Sequence, residues 1–283
     1  MIKLGVLHPG QMGISVAASA KNGGCEVYWA SENRSEQTCQ RAKEQELSDT
    51  HTLGELCQTC SVIVSVCPPH AAEALANQVL ESGFQGTYVD ANAIAPQRAQ
   101  RMGQVLNTAG IEFVDGGIIG GPAWEAGRTW LYLSGEEAYR VANCFSAGPL
   151  EVSVIDTNIG KASALKMCFA AYTKGTTALL SGILATADDL GVRDELEAQW
   201  AHAGSDFANQ TRNRVQRVTA KAWRFEGEMK EIASTLAGSG IPDGFHVSAS
   251  EIYHRMAHFK DAAETPELED VLNALLGKLD RPK

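Results

Sequence analysis

Basic residues are scarce in this 283-residue chain, and apolar runs are short. Twenty-four Lys and Arg stand against 34 Asp and Glu, a formal net charge of −10. A protein that binds nucleic acid or an anionic membrane through its overall field needs the opposite sign. No uninterrupted apolar run is long enough to span a bilayer, and the N-terminus lacks a basic segment and a small-residue cleavage site. The expectation is a soluble cytoplasmic protein with no membrane and no nucleic-acid partner. The cysteines, Cys25, Cys39, Cys57, Cys60, Cys67, Cys144 and Cys168, are odd in number and far apart, which excludes a disulfide framework. Cys57 and Cys60 form a CxxC with no second CxxC or histidine pair beside it, so they read as reduced thiols packed as small hydrophobes. His246, His254 and His258 have helical spacing, but no acidic or cysteine partner completes a motif, and no metal is expected. Block charge, low-complexity linkers and internal repeats are also missing. With 44% hydrophobic and 20% charged residues, a folded chain of one or two domains follows.

The first half alternates. Short runs rich in β-branched or aromatic residues occur at 2–7, 25–30, 61–66 and 87–90, separated by Ala/Glu/Gln/Leu-rich stretches such as 69–82 and 95–109. Further strand-like runs lie at 112–115, 129–133 and 151–155. Strands alternating with helices imply βαβ units and a parallel sheet. The second half contains no proline between Pro149 and Pro242 and is rich in Ala, Leu, Glu, Lys and Gln, so it reads as helical. From Ala162 to Leu190 apolar residues nearly surround the helix, which predicts burial within its domain or against a second subunit. The expected architecture is α/β: a Rossmann-type doubly wound sheet over residues 1–155, then an all-α domain over 156–283.

Directly after the first strand stands His8-Pro9-Gly10-Gln11-Met12-Gly13, a GxGxxG fingerprint with its first glycine replaced by His8. Gly10 lets a backbone approach a pyrophosphate, Gly13 allows close packing of helix on strand, and the helix N-terminus supplies amides. After the second strand, Ser31-Glu32-Asn33-Arg34-Ser35 offers both answers to the cofactor question. Glu32 suits the ribose hydroxyls of NAD. Ser31, Asn33, Arg34 and Ser35 together suit the 2′-phosphate of NADP, which is preferred.

These residues carry a resemblance. The segment Gly5 to Gly13 resembles the opening of the β-hydroxyacid dehydrogenases, a group that includes 3-hydroxyisobutyrate and 6-phosphogluconate dehydrogenases. Three more segments follow in order. Asp90-Ala91-Asn92-Ala93-Ile94-Ala95-Pro96 is similar to the family's DxSTISP, Asp115 to Gly121 to its substrate-loop DAPVSGG, and Gly160 to Lys166 to its GxGxxxK. HPGxMG, SVCPP, VDANA, DGGIIGG and ALKM look most like a bacterial branch of 6-phosphogluconate dehydrogenase-like proteins. The resemblance implies hydride transfer between nicotinamide and a small substrate, with Lys166 as general acid/base. A lysine serves near neutral pH only if desolvation or a neighbouring cation lowers its pKa, and Lys166 sits in an apolar stretch.

By the same resemblance Cys67, Pro68 and Pro69 run beside the nicotinamide ribose, Asn92 meets cofactor or substrate, and Ile119, Gly120, Gly121 and Tyr172 line the substrate. Two departures stand out: Ala170 replaces an expected asparagine, and Ile119 an expected serine. They argue for a substrate other than the usual 3-hydroxy acid. Lys230-Glu231 stands roughly where the family carries a Lys-Asp pair, although a solvated helix face accounts for it equally well. The expected activity is NADP-dependent oxidation or reduction of a small hydroxy acid, aldehyde or related carbonyl compound. An imine reductase of the same fold and a non-catalytic NADP-binding sensor are the alternatives. A homodimer with interlocked helical domains is expected.

Overall fold

The computed structural model describes residues 1–260 and 262–278. Strand β1 (Lys3–Val6) leads into α1 (Gln11–Asn22), and the alternation continues through β2 (Glu26–Trp29), α2 (Glu36–Glu44), β3 (Ser48–Asp49), α3 (Leu53–Thr59), β4 (Val62–Ser65), α4 (Ala72–Glu81), β5 (Thr87–Asp90) and α5 (Pro96–Thr108). Then come β6 (Glu112–Gly120), β7 (Thr129–Ser134), α6 (Ala138–Ala142) and β8 (Leu150–Asp156). The rest is helical: α7 (Lys161–Asp189), α8 (Arg193–Trp200), α9 (Phe207–Gly238), α10 (Gly244–Met256) and α11 (Leu268–Leu275). The chain divides into two compact units, Met1–Met167 and Cys168–Lys283.

The first unit holds one eight-stranded sheet in the order β3-β2-β1-β4-β5-β6-β7-β8. Every neighbouring pair is parallel except β6 with β7. This is the doubly wound sheet that the alternation predicts. Strands β4 and β5 are buried at every residue, as strands covered on both faces must be. One core face gathers Leu4, Val6, Val64, Val89 and Val114 under α1 and α6; the other gathers Leu7, Ile63, Tyr88 and Phe113 under α3, α4 and α5. Local signals set the helix starts. Ser35 Oγ accepts the Thr38 amide at 3.3 Å at the head of α2, Thr52 and Glu55 form a reciprocal capping box on α3, and Pro96 opens α5.

One sequence expectation changes here. The segment Asp115 to Gly120, expected as part of a substrate loop, is strand, paired antiparallel with β7 from Asp115↔Ser134 to Gly120↔Thr129. The reversal of β7 gives each of these six residues a ladder partner. Of the apolar residues of α7, expected to be buried in their domain or against a second subunit, Leu165, Phe169 and Leu179 are exposed in the single chain, as is Leu190 just past its end. In the second unit Val215, Met229 and Ile232 of α9, Tyr253 and Met256 of α10, and Val271 and Leu272 of α11 are buried. Tyr253 Oη donates to the Lys174 carbonyl at 2.8 Å, and Lys174 pairs with the buried Glu228.

At the β1–α1 junction, a Cβ on Gly13 would stand 2.0 Å from the His8 carbonyl oxygen, whereas one on Gly10 would meet no atom within 4 Å. Gly13→Ala is therefore expected to cost about 2 kcal/mol or more and Gly10→Ala less than about 1 kcal/mol, measured by urea unfolding. Equal costs would contradict the close packing at Gly13.

Candidate active site

The site is assembled at the carboxyl ends of β1, β2, β4, β5 and β6. Gly10 is the extended residue before α1, and no side chain caps that helix, so its first amides remain available to an anion. Pro9 is buried, Gln11 exposed and Met12 partly buried against the core. His8 is half-buried, its Nδ1 is buried without a hydrogen-bond partner, and burial, then the Arg34 guanidinium, push its pKa down to about 4. It is a neutral imidazole with an unused polar atom.

Arg34 is turned inward. A tight turn, closed by the Arg34 amide on the Ser31 carbonyl at 3.1 Å with Asn33 in the left-handed region (φ 58°), carries it there. Its Nε is buried and unpartnered. The Ser31 amide donates to Asp49 Oδ1 at 3.2 Å, while Glu32 and Asn33 lie exposed. A buried imidazole nitrogen and a buried guanidinium N–H without partners, beside an open Gly10, fit a dinucleotide phosphate and ribose better than an empty turn, since orphaned buried polar atoms are rare.

Behind this loop, Asn92 is buried and its amide is engaged within the chain. Its Oδ1 accepts the Cys67 amide at 2.5 Å, and its Nδ2 donates to Ser65 Oγ at 3.0 Å and Asp90 Oδ2 at 2.8 Å. Both amide hydrogens are used. Asn92 thus clamps the Cys67-Pro68-Pro69 segment to β5, where the resemblance implied a ligand group. Burial pushes the Cys67 thiol up to about 12 and Asp90 up to about 7. Cys57 and Cys60, pushed up by burial to about 11 and about 12, are unreactive core thiols.

Lys166 is half-buried in the second turn of α7. Gly117 lies beneath it: a Cβ there would stand 3.1 Å from Lys166 Cβ and 2.6 Å from the Ala162 carbonyl oxygen. The second glycine of the motif is therefore what lets helix and strand approach. Ile119 is buried, and Gly120 (φ 124°) and Gly121 are exposed at the end of β6. Ala170 is buried, and Tyr172 is exposed on the second unit's part of α7. Lys230 is exposed and pairs with Glu226 at 2.9 Å, Glu231 is buried, and His254 Nδ1 lies 3.1 Å from Glu226. Among the described residues no group of three His, Cys, Asp or Glu side chains could hold a metal, and no helix is long and apolar enough to cross a membrane.

Sequence reading passed over Asp90, Asp115, Ser134 and Ser163, all buried and polar. The available signal was an acid following each of two short apolar runs, Asp90 after Tyr88-Val89 and Asp115 after Phe113-Val114, which the ladder sets in register.

Folded His8 is neutral at neutral pH, whereas an unfolded histidine titrates near 6.5, so this residue removes stability as pH falls from about 6.5 towards 4. His8→Gln should gain in Tm relative to wild type between about pH 7.5 and about pH 4.5. A difference that does not move with pH would refute the burial of the neutral ring.

Comparison with known proteins agrees with this geometry. A family model described as the NAD binding domain of 6-phosphogluconate dehydrogenase matches residues 3–147, and one described as a domain of unknown function, DUF1932, matches residues 187–256. An uncharacterised 28.5 kDa protein in the 7S RNA 5′ region of Methanothermus fervidus is 28% identical over 192 residues, 67% of this chain and 73% of that one. Among solved structures, the conserved protein MTH1747 of unknown function, described as structurally similar to 3-hydroxyacid dehydrogenases, is 26% identical with a TM-score of 0.66 over 91% of this chain and 97% of that one. The 3-hydroxyisobutyrate dehydrogenase of Salmonella typhimurium shares the fold at 18% identity, with a TM-score of 0.70 over 96% of this chain and 99% of that one. With the dinucleotide-binding model covering just over half its length, the chain belongs to the β-hydroxyacid dehydrogenase-like family of NAD(P)-dependent dehydrogenases and reductases.

Proposed function

We propose that this protein is an NADP-dependent oxidoreductase of a small hydroxy acid, aldehyde or related carbonyl compound, with Lys166 as its general acid/base. The observation that carries the reading is a half-buried lysine held over Gly117 on β6, in the same unit as the glycine-loop cradle. A bound nicotinamide supplies the carbon that gives or takes the hydride. The chain's share is the proton: Lys166 Nζ takes it from the substrate hydroxyl in oxidation and returns it to the oxygen in reduction.

Cofactor choice rests on Arg34. Its partly desolvated guanidinium has an unpartnered Nε, which a 2′-phosphate satisfies and a ribose hydroxyl satisfies less well. Ser31 and Asn33 border it, and the exposed Glu32 is the one acid of that turn. The main-chain amides of Gly10 to Gly13 receive the pyrophosphate. Asn92 serves by holding Cys67, Pro68 and Pro69 in place. Gly120 and Gly121 offer exposed backbone to a substrate carboxylate. The apolar side chain at Ile119 supplies no hydrogen bond, so the preferred substrate lacks a group that needs one there.

Imine reductases and reductive aminases share the fold at TM-scores of 0.55 to 0.56, so imines belong in the substrate panel. In a fluorescence titration with NADPH and NADH, followed by turnover on hydroxy acids, aldehydes and imines, Lys166→Ala should lose activity by about three orders of magnitude or more while still binding NADPH. Arg34→Ala should weaken NADPH by about tenfold or more and NADH little. Normal turnover in the lysine variant removes the mechanism, and equal losses for both cofactors remove the NADP assignment.

The homodimer reading rests on α7. Phe169, Tyr172, Thr176, Leu179, Ile183, Thr186 and Leu190 follow alternating steps of three and four residues, and four of the five apolar members are exposed, with Tyr172 at 72% and Leu190 at 69%. Such a seam fits another helix along its length, and a second copy brings the same seam. Beside it an apolar groove of about 510 Å³ opens between α7 and α10. Leu179→Glu is expected to convert a dimer to a monomer in light scattering; a monomeric wild type would end this reading.

A further inference from the structure

Helix α7 starts after Gly160, so it has no capping side chain of its own. Its first turn is capped from the sheet. The amides of Gly160 and Ser163 donate to Asp115 Oδ2 at 2.9 and 3.0 Å, and Ser163 Oγ donates to Oδ1 at 2.5 Å. Ser134 Oγ donates to Oδ2 at 3.0 Å and itself accepts the Ala162 amide at 3.1 Å. Asp115 and Ser134 are register partners across β6 and β7. Gly117, two residues along β6 and on the same face, admits the Ala162 carbonyl and Lys166 Cβ. All of these residues belong to the first unit.

We propose that Asp115 is a positioning residue for Lys166: its carboxylate, delivered from the sheet, fixes the first turn of α7, and its negative charge governs the protonation of the Lys166 amine. The inference rests on the reading of Lys166 as the acid/base. Every group bonded to the Asp115 carboxylate donates. Two of the four are main-chain amides that can do nothing else, so the arrangement fits the ionised form, although burial raises its pKa. The charged residues next to it along the ladder and the helix are Asp90, in register on β5 and itself acted on by Arg98 of α5, and the exposed Lys161 and half-buried Lys166 in the first two turns of α7. Asp90 draws its donors from Asn92 and is pushed by burial up to about 7. Asp115 has four donors and Asp90 the two from Asn92, so the bonding at Asp115 is the better suited to a carboxylate. A carboxylate at a helix N-terminus offsets the positive end of the dipole, which would otherwise repel an ammonium one turn on.

The test does not need the substrate. Lysines are reductively methylated with ¹³C-formaldehyde, the Lys166 resonance is identified by its absence in Lys166→Ala, and it is titrated by NMR in wild type, Asp115→Asn and Ser134→Ala. Asp115→Asn keeps the shape and removes the charge; it should move the Lys166 titration to lower pH by about half a unit or more while NADPH still binds. Ser134→Ala removes two hydrogen bonds of the same ring, the one given to Asp115 and the one taken from the Ala162 amide, and keeps the charge, so it should lower Tm with a smaller displacement. If Asp115→Asn does not fold, Asp115→Ser, which also removes the charge and leaves a hydroxyl to accept from α7, should displace the titration in the same direction. A Lys166 titration unchanged in the charge-removing variant, or moved equally by Ser134→Ala, overturns the proposal. Turnover of Lys166→Ala on the substrate panel separates the two failures. Normal turnover there ends the acid/base reading and with it the positioning role, whereas an inactive Lys166→Ala beside an unmoved titration ends the positioning role alone.

Discussion

A parallel sheet covered by helices on both faces leaves polar chemistry one outlet, the carboxyl edge of its strands. Everything of functional interest in the first unit obeys that constraint. Four strands turn polar where they reach this edge: Val6 gives way to His8, Val64 to Ser65 and Cys67, Val89 to Asp90 and Asn92, and Val114 to Asp115, beyond which β6 runs on to Gly120. The edge is dry enough for each polar group to need a named partner, and the partners found are mostly one another. Asn92 ties the β4 and β5 ends together, and Asp115 with Ser134 ties β6 and β7 to α7. Groups left without partners, His8 Nδ1 and Arg34 Nε, mark where the protein's own bonding stops.

Burial drives three groups at this edge towards neutrality. The imidazole of His8 is pushed down, and the Cys67 thiol and Asp90 carboxyl are pushed up. The formal charge of −10 therefore says little about the field at the site, where Arg34 and the α1 amides act locally. An anionic cofactor meets short-range donors inside a chain whose surface as a whole would repel it.

The sheet was legible because its signals are local. Alternation of β-branched runs with helix-forming stretches acts within a few residues. The glycine loop was legible because Gly13 answers a steric demand within the chain, whereas Gly10 meets no atom of the chain and was read from the fingerprint. The two-residue β3 lacked any such run. The strand nature of Asp115 to Gly120 was hidden because four glycines in seven residues, 115–121, read as loop, and only an antiparallel partner some 15 residues later makes them a ladder. Asn92 showed the same gap: its type announced hydrogen bonding, but its partners Ser65 and Cys67 lie 25 to 27 residues away. The apolar girth of α7 was visible, while which of its faces stays uncovered depends on packing partners that no local pattern names.

The β6–β7 hairpin divides its labour along its length. Its base, Asp115 with Ser134, carries the bonds that seat α7, and its tip, residues 121–128, lies beyond the last ladder pair with most of its residues exposed. Within it Ala123 is buried and gives its amide to Ser15 Oγ of α1 at 2.9 Å, so the stretch free to change in length or composition is the exposed 124–128. A lineage of such proteins has a part free to adapt to new molecules and a part that keeps the lysine's helix where it is, on the same two strands.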